Sequence, residues 1–288
     1  MDPTLLSSII ALGGLGLIFG VGLAYAAQKF AVKVDPKVEQ ILQVLPGANC
    51  GACGQPGCSA FAEAVAAGRV PPNKCIPGGQ DTATKIAAIL GVTAVDSEEP
   101  KVAVVQCRGG KQEAKERFIY QGIEDCHAAL LLAGGSKACR YGCLGLGSCA
   151  KACPFDAIHM NDNGLPVVDE DKCTGCGVCV LTCPRGILAL VPKSQPVFLA
   201  CVSQDKGKEV KSICSAGCFT CKICVNPKFL PSEPIEMIGN LPKIKDPYHP
   251  EMAVAVSKCP SKCFVVRGKM EAVESAVQPD EEQSQQEG

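Results

Sequence analysis

A chain of 288 residues has room for two or three small domains, and a formal net charge of −1 gives no electrostatic case for a nucleic-acid partner. With Phe 9, Tyr 4 and Trp 0, large aromatic cores are excluded. Cys 21 points instead to an organisation that does not rest on apolar burial alone, and the odd count argues against a framework made only of disulfides.

In chain order, the first feature is the charge-free run LLSSIIALGGLGLIFGVGLAYAA over residues 5–27. Its 23 residues reach about 34 Å as a helix, enough for a hydrocarbon core of about 30 Å with some tilt. Asp2 precedes the run, whereas Lys29, Lys33 and Lys37 follow it, so the positive-inside rule puts the bulk of the chain on the cytoplasmic side. Ala24-Tyr25-Ala26 mimics a signal-peptidase site, but the segment before the run has no Lys or Arg and the run is long for a signal peptide. An uncleaved anchor over residues 1–28 is therefore expected. Thiols in the cytoplasm are reduced and available to hold metal.

Residues 29–95 carry Cys50-x2-Cys53-x4-Cys58-x16-Cys75, with glycines at 47, 51, 54 and 57. Structural zinc usually pairs two C-x2-4-C knuckles and only one stands here, which favours a [4Fe–4S] cluster on these four cysteines. The helix-like SAFAEAVAAG follows, and Pro71-Pro72 turns the chain back toward Cys75.

Residues 96–195 hold the most specific pattern. Cys173-x2-Cys176-x2-Cys179-x3-Cys183-Pro184 is the bacterial ferredoxin run, in which the first three cysteines ligate one cluster and the fourth ligates the other. Cys139-x3-Cys143-x5-Cys149-x3-Cys153-Pro154 precedes it. Cys173, Cys176 and Cys179 should share a cluster with Cys153, while Cys139, Cys143 and Cys149 should share the other with Cys183. Leu146 stands where the middle cysteine is expected, and Cys139 is read as its substitute. FDAIHM and GILAL, after the two prolines, read as short strands, and YQGIEDCHAALLLAGG reads as a helix.

Residues 196–270 look like a degenerate copy. VAVVQC, ending at Cys107, and VFLAC, ending at Cys201, each precede a C-x3-C element, at Cys139/Cys143 and Cys214/Cys218. The copy retains the triad Cys218, Cys221 and Cys224, has Lys228 at the crossing position, and keeps Cys259-Pro260 as a remote fourth ligand. One cluster is expected there, which makes four in the chain and roughly sixteen irons at four per cubane. Cys107, Cys126, Cys201, Cys214 and Cys263 remain over. Spacing supports no fifth cluster on them, though it leaves one open, and free cysteines commonly serve as small buried apolar groups. His127, His159 and His249 are isolated, and residues 271–288 read as a disordered acidic tail.

The single anchor, GANCGACGQPGCSAFAEAV and CRYGCLGLGSCAKACPFDAI…CTGCGVCVLTCP together resemble the B subunit of the Rnf complex, the membrane-bound ferredoxin:NAD oxidoreductase that pumps sodium ions or protons. The resemblance implies an iron–sulfur subunit of a translocase at the cytoplasmic membrane. It would accept electrons from soluble ferredoxin and pass them to integral and flavin- or NAD-binding partner subunits. The fold class it implies is α+β, with one transmembrane helix, a four-cysteine domain and ferredoxin-like modules. A tethered iron–sulfur subunit of a hydrogenase or formate dehydrogenase is the alternative, and a non-redox zinc scaffold is a more distant one. Lys206, Lys208 and Lys211 in DKGKEVK are a candidate docking patch for acidic ferredoxin.

Overall fold

The computed structural model describes residues 3–30, 35–93, 96 and 99–267. Asp2, Lys33 and the expected tail over 271–288 lie outside them.

The apolar run forms helix α1 (Pro3–Lys29). Its stretch Ile10–Lys29 is long and apolar enough to cross a membrane, and no part of that stretch is buried against the rest of the protein. Helices α2 (Pro36–Val44), α3 (Cys58–Ala66) and α4 (Gly79–Leu90) follow, with a 3-10 turn at Pro72–Lys74. Asp35 caps α2 by accepting a hydrogen bond from Lys37 N at 2.9 Å, with Pro36 in the first helical position, where its missing N–H costs nothing. Ile41, Phe61, Val65 and Ile86 bury one face of each helix in a shared core, against which Cys53, Cys58 and Cys75 also pack.

The repeat seen in the sequence is a repeat in topology. The first copy runs β1 (Lys101–Val105), α5 (Cys126–Leu131), α6 (Ser148–Lys151), β2 (Ile158–Met160), β3 (Pro166–Val168), α7 (Val178–Thr182) and β4 (Leu188–Pro192). The second runs β5 (Val197–Leu199), α8 (Gly207–Ile213), a 3-10 turn at Ile223–Val225, β6 (Ile235–Ile238), β7 (Leu241–Ile244), α9 (Met252–Lys258) and β8 (Phe264–Val266). In each copy the first strand pairs antiparallel with the last, and the two middle strands form a hairpin. One hydrogen bond marks the same point twice: Gln106 N donates to Ile187 O, and Ala200 N donates to Cys263 O, both at 2.7 Å. Val104 of β1 packs with Phe198 and Ala200, so the two copies share a core.

FDAIHM contains strand β2 and GILAL runs into strand β4, as expected of the segments after the two prolines. YQGIEDCHAALLLAGG is helical only from Cys126 to Leu131. The Asp125 side chain accepts from Ala128 N at 2.9 Å and starts the helix late, and left-handed Ala133, Gly134 and Gly135 end it early. DKGKEVK is mostly helix, and Glu209 Oε2 accepts from Lys206 N at 3.3 Å at the start of α8.

Candidate iron–sulfur sites

Around the first group, Asn49 adopts a left-handed φ of 48° and its Oδ1 accepts from Cys58 N at 2.8 Å, which folds the loop back onto the start of α3. A side chain at position 57 would meet that oxygen at 3.0 Å, so Gly57 leaves the return path open. Burial pushes the Cys75 thiol up, and Cys53, Cys58 and Cys50 lie near enough to raise it further. The 3-10 turn at Pro72–Lys74 thus delivers Cys75 to the other three.

Cys153, Cys173, Cys176 and Cys179 line one pocket. Ala103 N donates to Cys173 Sγ and Ala157 N to Cys153 Sγ, each at 3.4 Å. Cys143, Cys149 and Cys183 line a second pocket, and the cysteine beside them is Cys126, not Cys139. Cys126 N donates to Ser148 Oγ at 2.7 Å, and Ser148 Oγ donates to Asp125 Oδ2 at 2.8 Å, which ties the start of α5 to the start of α6. In the second copy Cys218, Cys221, Cys224 and Cys259 line another pocket. Cys139 lies elsewhere, on a cavity shared with Cys107, Cys201 and Cys214.

Burial dominates the thiol chemistry. It pushes Cys143, Cys179 and Cys224 up to about 12 and Cys149 to about 11, so these groups are protonated at neutral pH and must release protons to ligate metal. The second copy has an exception. The Cys263 thiol serves Cys218 and Cys259 as a hydrogen-bond partner, which raises its own pKa and lowers theirs, to about 7 and about 5. Cys263 occupies the place held by the buried Ile187 in the first copy, as the paired backbone bonds show. It is a core residue with a donor attached.

The cavities lie next to one another in a row. Cys50 is close enough to Cys176 to add to the rise that burial causes there, and Cys149 does the same for Cys179. Cys143 and Cys218 each abut the Cys139 cavity, since Cys143 N donates to Cys107 Sγ and Cys218 N donates to Cys201 Sγ, both at 3.4 Å.

A further observation fits iron–sulfur clusters. Among the described residues Arg185 Nε is a buried side-chain donor without a hydrogen-bond partner, and it lines a four-cysteine pocket, where inorganic sulfide would accept from it. The histidines are used structurally: His127 Nε2 lies 2.9 Å from Thr182 O, and His249 Nδ1 accepts from Glu251 N at 3.2 Å.

Cysteines gathered in fours, backbone N–H groups aimed at several of their sulfurs and the ferredoxin spacing define an iron–sulfur protein, here with an N-terminal helix of membrane-spanning character. The comparisons agree. Residues 45–77 match a family model described as "Putative Fe-S cluster", and residues 139–190 match one described as "4Fe-4S dicluster domain". The chain is 43% identical over 253 residues to the B subunit of the Na(+)-translocating ferredoxin:NAD(+) oxidoreductase complex of Acetobacterium woodii, covering 88% of this chain and 75% of that one. It is 40% identical over 267 residues to the B subunit of the ion-translocating oxidoreductase complex of Methanosarcina acetivorans, covering 93% and 100%. It is also 43% identical over 216 residues to the B subunit of the proton-translocating ferredoxin:NAD(+) oxidoreductase complex of Clostridium ljungdahlii, covering 75% and 76%. The chain belongs to the family of B subunits of ion-translocating (Rnf) oxidoreductase complexes.

Proposed function

We propose that this subunit takes electrons from reduced ferredoxin and relays them, along sites held by its own cysteines, to the membrane and flavin- or NAD-binding subunits of an ion-translocating ferredoxin:NAD oxidoreductase. The observation that carries the reading is the set of four-cysteine sites, of which the Cys50, Cys176 and Cys149 groups adjoin and the second-copy group is reached through the Cys139 cavity. Cys50, Cys53, Cys58 and Cys75 form one ligand set, and Cys153, Cys173, Cys176 and Cys179 form the next. Cys143, Cys149 and Cys183 form the third with Cys126, which takes the role expected of Cys139, and Cys218, Cys221, Cys224 and Cys259 form the set in the second copy. A [4Fe–4S] cluster on each set would supply one-electron chemistry, tuned by the surrounding charge and hydrogen bonds. The residues around the sites fix those terms: peptide N–H groups at Cys153 and Cys173, and the side chain of Arg185, favour the more negative, reduced state.

The exposure of the sites supports a direction. Cys221 is the exposed cysteine of the chain, whereas the Cys50 group follows the anchor helix most closely in sequence. Electrons entering at the Cys221 end would leave at the end nearest the membrane, with the cysteine domains on the cytoplasmic side. Lys206, Lys208 and Lys211 are exposed on or beside α8, next to the entry end, and suit an acidic donor.

The direct test is to mix purified, cluster-loaded protein with reduced ferredoxin and follow bleaching of its visible absorption. Bleaching at near-stoichiometric ferredoxin is expected, and none would sink the reading. Charge reversal of Lys206, Lys208 and Lys211 together should raise the apparent KM for ferredoxin roughly tenfold at low salt, with the difference shrinking as salt screens it. An unchanged KM would remove the patch.

A further inference from the structure

We infer that Cys107, Cys139, Cys201 and Cys214 hold a fifth [4Fe–4S] cluster, seated at the joint between the two copies. The relay reading gives the site its purpose, but the site stands on its own geometry.

The four cysteines line one pocket, as the cysteines of the other three four-cysteine sites do. Each copy gives two of them, and from matching places. Cys107 and Cys201 follow the first strand of their copies, and each Sγ accepts from the second cysteine of a C-x3-C element at 3.4 Å. Cys139 and Cys214 are the first cysteines of those same elements. The set therefore has the near-twofold symmetry of the repeat.

The backbone holds the two halves of this site together. The segment 113–117 is bonded along one edge to the second copy, Lys115 N donating to Ile213 O and Ser215 N to Glu113 O, both at 2.9 Å. Its other edge is bonded to the first copy, Arg117 N donating to Ser136 O at 2.7 Å and Ala138 N to Lys115 O at 2.8 Å. Cys214 and Cys139 thus flank one strand-like segment. At Gly109 a side-chain carbon would come within 3.1 Å of Cys214 Sγ and 3.9 Å of Cys107 Sγ, so the bare glycine keeps the space between those sulfurs open.

Charge gives an independent pointer. Lys137 is 3% exposed, and its Nζ donates only to the carbonyls of Gly109, at 3.2 Å, and Gly110, at 2.7 Å. Among the described residues no carboxylate lies within ion-pair distance of it. A buried ammonium without a counter-charge is costly, and a cluster held by four thiolates beside Gly109 carries the negative charge that offsets it. The site also joins what would otherwise be separate: one peptide N–H links it to Cys143 of the first copy and another to Cys218 of the second.

The test is an iron and sulfide count on anaerobically reconstituted full chain. Wild type should carry about twenty irons, five cubanes of four, and Cys107→Ala/Cys201→Ala should carry about sixteen. The electron paramagnetic resonance signals of the other clusters should survive in the variant. A wild-type count near sixteen, or a variant that keeps the wild-type count, would overturn the site. The wild-type count decides even if the variant fails to fold. One zinc with about sixteen irons would likewise overturn it. About twenty irons in protein that ferredoxin does not reduce would uphold this site while defeating the relay reading.

Discussion

Cys153→Ala protein, reconstituted without oxygen, should lose the cluster held by residues far along the chain while keeping the one on its neighbours in sequence. Cys153 shares its cavity with Cys173, Cys176 and Cys179 rather than with Cys149, four residues before it. Ala157 N, which donates to Cys153 Sγ at 3.4 Å, opens the turn that carries the chain into β2 and keeps the sulfur pointed across. Iron content should fall by about one to four atoms, the lower figure if three cysteines keep a three-iron remnant. In the reduced protein, the resonance of the Cys173 site should change and that of the Cys143 site should not. Loss of the Cys143-site signal with an intact Cys173 site would contradict the crossed ligation.

The second large effect is expected at Arg267. Its side chain is 6% exposed and forms a two-pronged ion pair with Glu170, Nε to Oε1 at 2.8 Å and Nη2 to Oε2 at 2.7 Å. Its Nη1 also donates to the carbonyls of Pro192 and Gln195, at 3.0 and 3.1 Å. One residue after β8 thus clasps the end of the second copy to the ferredoxin-like copy. Arg267→Ala removes a buried cation from a partner that is itself 41% exposed, so the loss is below that of a fully buried pair, about 2 kcal/mol. That should lower the thermal midpoint of the loaded protein by about 4 to 8 °C. The hydrogen bonds from Arg267 hold the Glu170 carboxyl below its ordinary value of 4.5. A depressed carboxyl stabilises the fold above its unfolded pKa, and the benefit fades as pH falls through the folded one. The gap between wild type and Arg267→Ala should therefore be full at neutral pH and narrow in acid below about 4.5. Equal midpoints at neutral pH would show that the clasp contributes nothing.

Much of this could be read from the chain because cluster ligation constrains spacing so tightly. Cys173, Cys176, Cys179 and Cys183 follow the ferredoxin run, and charge-free residues 5–27 announce a long apolar helix. The strands after Pro154 and Pro184 were legible because each follows a residue that cannot extend a helix. The proposed fourth partner of Cys143, Cys149 and Cys183, Cys126, was not. Leu146 says that the middle ligand comes from elsewhere, but Cys126 reaches the cavity only through the Asp125 cap and the Ser148 hydrogen bonds, which no spacing rule encodes. The repeat itself carries a signal in favour of that proposal. Cys139 and Cys214 are counterparts, as are Cys107 and Cys201, so a reading that sent Cys139 to the ferredoxin pair left its counterpart without a role. The second copy shows the converse: where the first has a triad and α7 before its final cysteine, the second has α9, with Met252 and Ala255 wholly buried. Hydrophobic packing stands where metal would otherwise organise the chain.

The segment 113–117, bonded on both edges, also bears on how such a protein can be taken apart. A fragment ending near residue 195 would contain every cysteine of the ferredoxin pattern, yet Glu113 and Lys115 would lose Ser215 and Ile213, and β1 would lose the cover of Phe198 and Ala200. Expressed alone, that half would present an open strand edge and an apolar face to solvent, the two features that drive chains to aggregate. The duplication has made two modules into one mechanical body, and engineering that treats the seam in the sequence as a place to cut would meet precipitation before it met any change in redox behaviour.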